Sequence, residues 1–339
     1  MSFRVRPAGN DDFASIYEMA KLTGGGFTNL PPDRGALVDK IIRSQESFAA
    51  DRSEPGDDMF LFVLENTETG QIRGTCQVFG MVGIDHAFYS YRISTLTQTS
   101  RALGKTFRAE MLSLTTDLEG SSEVGGLFLH PGERAGGLGL LLARSRYLFI
   151  KRHRERFNRR ILAELRGVID EAGGSPFWDA IAGRFFGMNF QEADQLNGTH
   201  GTQFIADLMP KTPVYTAMLP ESARAVMGVP HPSGRAAMRM LEREGFAFES
   251  YIDIFDGGPT MIAQTDQVRS IRDARDVELV AVADAVEGPN MMLAAGRFGS
   301  FAAACSNVRM EPEGGATISR SAAAMLGIEP GDSFTAIGR

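Results

Sequence analysis

The sequence predicts an α+β fold in which helices flank a mixed, mostly antiparallel sheet. Two segments rich in Phe, Val and Leu, Met59–Glu65 and Ile72–Val82, flank the turn residues Thr67–Gly70, which is the pattern of a β-hairpin. Apolar residues within positions 13–20 recur at the spacing of an amphipathic helix. The chain has 339 residues, of which 43% are hydrophobic, so it can fill the core that such a fold requires.

The N-terminal elements are predicted in the order strand, helix, loop, helix. Residues 3–6 alternate as a short strand does, and Asn10 or Asp11 can cap the helix that follows. Gly24–Gly26 end that helix, and the residues up to Pro32 form either a loop shaped for a ligand or a plain flexible linker. The next residues, 33–48, are predicted to form a second helix.

Further strands and helices are predicted up to about residue 262, where the sequence changes to short apolar runs between glycines and charged residues. Strands are predicted at 89–97, 107–116, 124–129, 161–168 and 246–255, and helices at 140–157, 176–186, 203–209, 221–227 and 233–244. The basic cluster between Lys151 and Arg160 is either solvated or in contact with a ligand phosphate. We expect a main domain of residues 1–261, with a core of 1–195 and an added part of 196–261, and a small β-rich appendage of residues 262–339.

A glycine-rich turn, Arg134–Gly139, joins the strand at 124–129 to the helix behind it. Glycines let the backbone approach an anion closely, and the start of a helix directs N–H groups at the same place. A Walker A loop is excluded because no lysine follows Gly137, and a dinucleotide loop is excluded because Leu142 stands where a small residue is needed. The remaining pattern, Arg/Gln-x-x-Gly-x-Gly/Ala, resembles the pyrophosphate loop of the GCN5-related N-acetyltransferase superfamily, whose members bind acyl-coenzyme A.

The overall composition excludes several classes of function. A net charge of −7 argues against a general nucleic-acid binder, which needs surplus cations. Cys76 and Cys305 lie far apart with no His or Cys at ligand spacing, so we expect neither a disulfide framework nor a metal site. No apolar run approaches the ~20 residues of a membrane helix. The sequence therefore predicts a cytoplasmic enzyme that acts on small molecules, with no nucleic-acid or membrane partner.

Six phrases of the sequence resemble those of the arginine N-succinyltransferase family. They are Thr23–Pro31, Gly120–Glu123, Arg166–Glu171, Ser175–Trp178, Ala206–Lys211 and Tyr251–Thr260. The resemblance covers about residues 3–275, and the last phrase is highly specific to the family. It implies an acetyltransferase-like sheet that splays apart to hold the acyl donor in the gap. It also implies transfer of a succinyl group from succinyl-coenzyme A, a co-substrate and not a permanently bound cofactor, to the α-amino group of L-arginine.

The resemblance also assigns residues to the binding of the donor and to proton transfer. His231, within Gly228-Val229-Pro230-His231-Pro232, matches a histidine that serves as proton donor in the family, where the usual phrase is Gln-Val-His-Pro. The family's backbone contact to the coenzyme falls on Leu127. Together with the glycine loop, the residues expected to bind the donor are Leu127, Phe128, Leu129, Arg134, Gly136, Gly137, Leu138 and Gly139.

The chemistry of acyl transfer to an amine calls for a base and for charged groups that recognise both substrates. Glu123, at the start of the strand that leads into the glycine loop, is either that base or an edge carboxylate with no catalytic role. A guanidinium group prefers carboxylates, and the candidates are Asp170, Glu171, Asp253 and Asp256. The succinyl carboxylate prefers a cation or N–H groups, for which Arg92, Arg166 and Gly24–Gly26 are candidates.

Two other functions remain open on the sequence. The acceptor could be ornithine or another small amine. Alternatively, the chain could be a non-catalytic subunit that binds acyl-coenzyme A within a heteromeric succinyltransferase. The expected assembly is a homo-oligomer or a hetero-oligomer with a similar subunit, and the intact glycine loop favours the catalytic type.

Overall fold

A computed structural model of the chain describes residues 2–23, 29–134, 136–193, 196, 207, 209 and 211–339. The candidate loop Gly24–Gly26 and nearly all of the helix predicted at 203–209 lie outside these residues. The strands are β1 Phe3–Pro7, β2 Met59–Asn66, β3 Ile72–Phe79, β4 Ser90–Ser100, β5 Lys105–Thr115, β6 Ser122–Leu129, β7 Arg160–Glu164, β8 Val214–Tyr215, β9 Ala247–Asp253, β10 Pro259–Gln264, β11 Arg275–Ala283, β12 Asn290–Ala295, β13 Ala302–Met310, β14 Ala316–Ser319 and β15 Ser333–Gly338.

The helices agree with most of those predicted from periodicity. The first two, α1 and α2, precede the β2–β3 hairpin, and α3 follows the glycine loop. Helix bounds are α1 Phe13–Lys21, α2 Arg34–Ala49, α3 Leu138–Arg152, α4 Pro176–Ala180, α5 Ala182–Phe186, α6 Glu221–Arg224, α7 Arg235–Glu244, α8 Arg269–Asp273 and α9 Arg320–Leu326.

One mixed sheet carries the first ten strands in the order β1-β2-β3-β6-β7-β10-β9-β4-β5-β8. Every neighbouring pair in this part is antiparallel except β6–β7, which is parallel. That parallel pair is short, because only Ser122 and Glu123 of β6 face partners on β7, while β6 continues to Leu129. The sheet therefore opens between β6 and β7, and the predicted class, a mostly antiparallel splayed sheet flanked by helices, is confirmed.

Helices cover both faces of the sheet, which explains why β2 is buried at six consecutive residues. Phe60 and Phe62 of β2 pack with Leu148 and Phe149 of α3 on one face. On the other face, alternate residues of β2 pack against α1 and α2, as Leu61 does with Leu37 and Ile41. Residues that pair across neighbouring strands have their side chains on the same side of the sheet. The register of the strands therefore shows which of the two faces each side chain occupies.

The last five strands close into a small barrel. Their order is β12-β15-β11-β14-β13, and a further pairing of β12 with β13 completes the ring. Helix α9 packs against it through Ala322 and Leu326. The β-rich C-terminal part is thus confirmed, whereas the predicted division between residues 261 and 262 stays a prediction. The structure runs β10 across that position and begins the barrel at Arg275.

Candidate active site

A bulge in β6 lies where the sheet begins to open. Gly74 and Thr75 face Leu129 and Phe128, but Gln77 faces Gly125, so β6 carries one extra residue at this point. Gly126 has a positive φ of 57°, and a Cβ there would lie 2.7 Å from Gln77 Cδ, so only glycine fits. Since a bulge takes backbone groups out of the ladder, this stretch, which includes the predicted contact Leu127, can offer them to a ligand.

The glycine loop leads from β6 into α3 with two residues in the left-handed region. Gly136 has φ 78° and Gly137 has φ 81°, and Gly137 caps α3. The first backbone N–H groups of α3 have no intrahelical acceptors and point towards this turn. Leu138 is buried, whereas Arg134 is exposed, so its guanidinium can reach an anion bound at the loop. The 15-residue helix behind the turn adds the positive end of its dipole, which attracts an anion to the predicted pyrophosphate site.

Glu123 is the last residue of β6 that faces β7, and its side chain is only 7% exposed. Burial raises the pKa of this carboxyl to about 7, while the nearby charges of Lys40 and Arg146 act in the opposite direction. No hydrogen bond or ion pair fixes its carboxylate among the residues that the structure describes. A carboxyl group near half ionisation at neutral pH has the pKa expected of a general base.

Lys40 of α2 is a residue of this site that the sequence analysis missed. Its ammonium donates to the carbonyl of Asn29 (2.9 Å) and to Gln77 Oε1 (3.1 Å). Burial lowers its pKa to about 8, and the charge of Glu123 opposes that shift. The spacing of Lys40 from the buried Leu37 and Ile41 was the available signal, because it places the lysine beside the inward face of α2.

His231 lies beyond the carboxyl end of β7. Its N–H donates to the carbonyl of Arg166 (2.8 Å), and the preceding Pro230 faces Gly167 in an isolated bridge. His231 Nδ1 lies 2.7 Å from Ser233 Oγ and accepts from the N–H of Ser233 (3.3 Å), which favours the tautomer that carries its proton on Nε2. Burial and the charge of Arg166 lower the pKa of this imidazole. Both effects favour the neutral imidazole, in which Nε2–H is available as a donor.

Three of the four carboxylates proposed for the guanidinium hold turns of the backbone. Asp170 Oδ1 accepts from two N–H groups of its own turn, at 2.9 and 2.8 Å, and Asp253 Oδ1 does the same at 2.7 and 2.8 Å. Asp256 accepts from the N–H of Gly167 (2.6 Å) and of Gly258 (2.8 Å). The fourth, Glu171, is exposed. Their role in substrate binding stays a prediction.

Glu164, which the sequence analysis did not single out, is a second carboxyl group at the open edge of the sheet. It follows Leu162, the partner of Glu123, by two residues on β7 and so lies on the same face. Burial and the carboxylates of Asp253, Glu123 and Asp256 raise its pKa well above the usual range. The alternation of β7 was the signal that could have found it.

The candidates for the succinyl carboxylate are not brought together. Arg92 pairs with Asp117 at 3.5 Å on an exposed part of β4, with its guanidinium over the ring of Tyr251. Arg166 lies beside His231 instead.

The described residues contain no group of three His, Cys, Asp or Glu side chains arranged to hold a metal ion. Among the same residues, no helical segment combines the length and the continuous apolar character that a membrane span requires.

Comparison with known proteins places these features in one family. The family model "Arginine N-succinyltransferase beta subunit" matches residues 3–270, and the model of its C-terminal domain matches residues 275–338. Arginine N-succinyltransferases of Salmonella schwarzengrund and Salmonella paratyphi B are 43% and 42% identical over 311 residues, which is 91% of this chain and 89% of each relative. The structure of arginine/ornithine succinyltransferase subunit AI from Pseudomonas aeruginosa superposes with a TM-score of 0.91 at 33% identity, over 99% of this chain and 98% of that one. The chain belongs to the arginine N-succinyltransferase family of acyltransferases.

Proposed function

We propose that this protein transfers the succinyl group of succinyl-coenzyme A to the α-amino group of L-arginine. Family membership supports the reaction type. The observation that carries the proposal is the place of Glu123, a buried carboxyl at the point where β6 and β7 separate, on the strand that also holds the bulge and leads into the glycine loop. Donor site and base thus share one opening in the sheet.

The donor is proposed to bind along β6 and the start of α3. The bulge at Leu127 offers backbone groups to the pantetheine arm, and the left-handed turn before α3 offers N–H groups to the pyrophosphate. Arg134 supplies a cation at the same turn. The full proposed set is Leu127, Phe128, Leu129, Arg134, Gly136, Gly137, Leu138 and Gly139.

In the proposed mechanism the amine attacks the thioester directly. Glu123 takes a proton from the α-ammonium group, directly or through water, and the freed lone pair attacks the carbonyl carbon. The tetrahedral oxyanion accepts hydrogen bonds from N–H groups of the bulged strand, and collapse breaks the C–S bond. The nitrogen of the tetrahedral intermediate still carries two protons, and one of them passes to the departing thiolate as the amide forms. His231 Nε2–H is proposed to donate a hydrogen bond to that thiolate and so to stabilise its charge as the C–S bond breaks.

An acyl-enzyme intermediate on cysteine is disfavoured by the state of the thiols. Cys76 and Cys305 are both buried and free. Burial raises the pKa of Cys76 to about 12 and raises that of Cys305 as well. Since the thiolate is the nucleophilic form, neither residue is suited to accept the acyl group, which supports a ternary complex.

Substrate choice is tested with purified protein and a matrix of two donors and two acceptors. Succinyl- and acetyl-coenzyme A are each combined with L-arginine and L-ornithine, and the release of free thiol is measured. We expect the highest kcat/KM for the succinyl donor with arginine. Preference for ornithine, which the name of the Pseudomonas relative makes the second candidate, would contradict the proposed acceptor.

The same assay separates a complete enzyme from a subunit. We propose that the chain is active by itself, since its glycine loop and Glu123 are both in place. Its proposed location is the cytoplasm, and its proposed assembly is a homo-oligomer or a hetero-oligomer with a similar subunit. Activity of the purified protein, with its mass in solution measured by light scattering, is the expected result. Thiol release that appears only after addition of a similar second subunit would instead support the non-catalytic role.

A further inference from the structure

The face of the sheet that carries Glu123 also carries a second carboxyl group, which, unlike Glu123, has no neighbouring cation among the residues that the structure describes. Glu164 sits on β7 beyond the last residue that pairs with β6, so it borders the opening of the sheet. Within the described part of the chain, no hydrogen bond or ion pair involves its side chain, and the nearby charges that act on it are those of Asp253, Glu123 and Asp256. A carboxylate held among like charges is costly unless a cation joins it.

A buried hydroxyl next to Glu164 lacks a hydrogen-bond partner as well. Thr260 of β10 faces Glu164 directly in the ladder, so both side chains lie on the same face. The side chain of Thr260 is 0% exposed, and its Oγ1 has no partner among the described residues. Buried polar groups are nearly always satisfied, so an unmet hydroxyl beside an unpaired carboxylate indicates polar atoms of a ligand or of its bound water at this place.

The ionisable groups along this face stand in an order that complements a basic amino acid, which carries a carboxylate, an α-amine and a side-chain cation in turn. Lys40, which donates to Gln77 of β3, is the cation on one side of Glu123, and Glu164 of β7 is the carboxyl group on the other, which a bound cation would hold in its ionised form. An acceptor whose α-amine lies at Glu123 can direct its carboxylate towards Lys40 and its side-chain cation towards Glu164. Asp253 and Asp256 are less available for this role, because their oxygens already accept backbone N–H groups.

From this arrangement we propose that Glu164 binds the side-chain cation of the acceptor, with Thr260 beside it, and so selects basic amino acids. The inference rests on the proposed function, because it takes the acceptor to be an α-amino acid with its amine at Glu123. It assigns Glu164 to substrate recognition and not to the proton transfer.

The test compares Glu164→Gln with the wild type on a charged and a neutral acceptor. L-citrulline has the shape of L-arginine, with a neutral ureido group in place of the guanidinium. We expect Glu164→Gln to raise the KM for arginine roughly 10- to 100-fold, the loss expected for a hydrogen bond between charged groups. The KM for succinyl-coenzyme A and the kcat/KM for citrulline should change less than about threefold, so that the preference for arginine over citrulline collapses.

Glu242→Gln provides the matched control, since Glu242 is an exposed carboxylate on α7. It should leave the kinetics for both acceptors unchanged. An unchanged arginine KM in Glu164→Gln would overturn the proposal, and so would an equal loss for arginine and citrulline, which is the signature of a structural role.

Two further measurements keep the outcome decisive. If Glu164→Gln does not fold, as judged by its melting temperature and by calorimetric binding of succinyl-coenzyme A, Glu164→Asp replaces it. That variant should retain the preference for arginine over citrulline but raise the arginine KM, and a wild-type KM would overturn the proposal. If the wild type uses ornithine instead of arginine, the proposed acceptor is wrong, and Glu164 is tested by comparing ornithine with neutral norvaline.

Discussion

Glu123 and Lys40 are two ionisable side chains that burial shifts towards their neutral forms. Burial raises the pKa of Glu123 to about 7 and lowers that of Lys40 to about 8, while each charge favours ionisation of the other. The pair therefore changes its charge near neutral pH, where a base must be able both to take up and to release a proton. Removal of Lys40 should therefore raise the pKa of Glu123, and removal of Glu123 should lower that of Lys40.

Lys40→Met should move the rising limb of the pH–rate profile to higher pH. Without the nearby cation the carboxylate of Glu123 is less stable, so its pKa rises and a higher pH is needed to ionise the base. We expect a shift of roughly one pH unit in kcat/KM for arginine. Profiles measured between pH 5 and 9 check this, with the exposed Lys105 as the matched control in Lys105→Met.

The same profile tests whether Glu123 is the base at all. Glu123→Gln should lower kcat by about 10²- to 10⁴-fold and remove the limb, because the amide cannot accept the proton. A limb that stays in place in Lys40→Met would show that the two groups do not interact as the structure implies. Retention of the limb in Glu123→Gln would assign it to another group.

At the scale of elements, the strand, turn and helix around the glycine loop were predictable because their signals are local. The strand predicted at 124–129 is part of β6, and the helix after the loop is α3, which begins two residues earlier than predicted. The bulge and the opening of the sheet were not predictable from residues alone, because they depend on register between distant strands. The splayed sheet was predicted only from the resemblance to the family.

The basic cluster between Lys151 and Arg160, which begins in the last turn of α3, shows the same limit. The sequence analysis left it either solvated or bound to a phosphate, but five of its six Lys and Arg side chains bond within the protein. Arg156 is fully buried and pairs with Asp58 at 2.8 Å, and Arg152 donates to Thr335 Oγ1 at 3.0 Å. Partners that lie far apart in sequence leave no local pattern, so a charged cluster cannot be assigned from its own residues.

Gly137→Glu should weaken binding of the donor far more than binding of the acceptor. The new carboxylate would stand at the turn where N–H groups and Arg134 are proposed to hold the pyrophosphate, so like charges would repel. Gly137→Gln is the matched control, because it imposes the same strain at φ 81° and displaces the same guanidinium of Arg339, which donates to the carbonyl of Gly136. We expect the KM for succinyl-coenzyme A to be about tenfold higher with Glu than with Gln. Equal values for the two variants would contradict an anion site at this loop.

At the scale of the whole molecule, the barrel is joined to the sheet and to α3. Arg4 and Val5 of β1 pair with Ala304 and Ala303 of β13. Arg144 of α3 donates to the carbonyl of Gly338 at 2.8 Å and pairs with the buried Glu244 at 3.1 Å. The sequence predicted a β-rich appendage but not this attachment. Strands some three hundred residues apart pair without any local sequence pattern that would predict the pairing. The helix that begins at the donor loop is thus braced by the barrel.

His153 extends this bracing to the end of α3, where its ring is 0% exposed. Its Nδ1 is 2.9 Å from the carbonyl of Phe149, and its Nε2 accepts from the N–H of Phe298, in the segment between β12 and β13, at 3.0 Å. Burial lowers the pKa of the imidazole to about 4. A second ring proton would displace the N–H of Phe298, so acid should weaken the contact between α3 and the barrel.

Acid should therefore destabilise the folded protein through His153. The pKa is about 4 when folded and about 6.5 when unfolded, so between these values the unfolded chain binds more protons and the free energy of unfolding falls as pH decreases. The full effect is on the order of 3 kcal/mol. Urea unfolding at pH 7.5 and 4.5 should show that His153→Gln, although less stable at pH 7.5, loses roughly 1–3 kcal/mol less than the wild type on acidification. His86→Gln, at an exposed histidine, should behave as the wild type does, and an equal acid loss in His153→Gln would show that other groups govern acid unfolding.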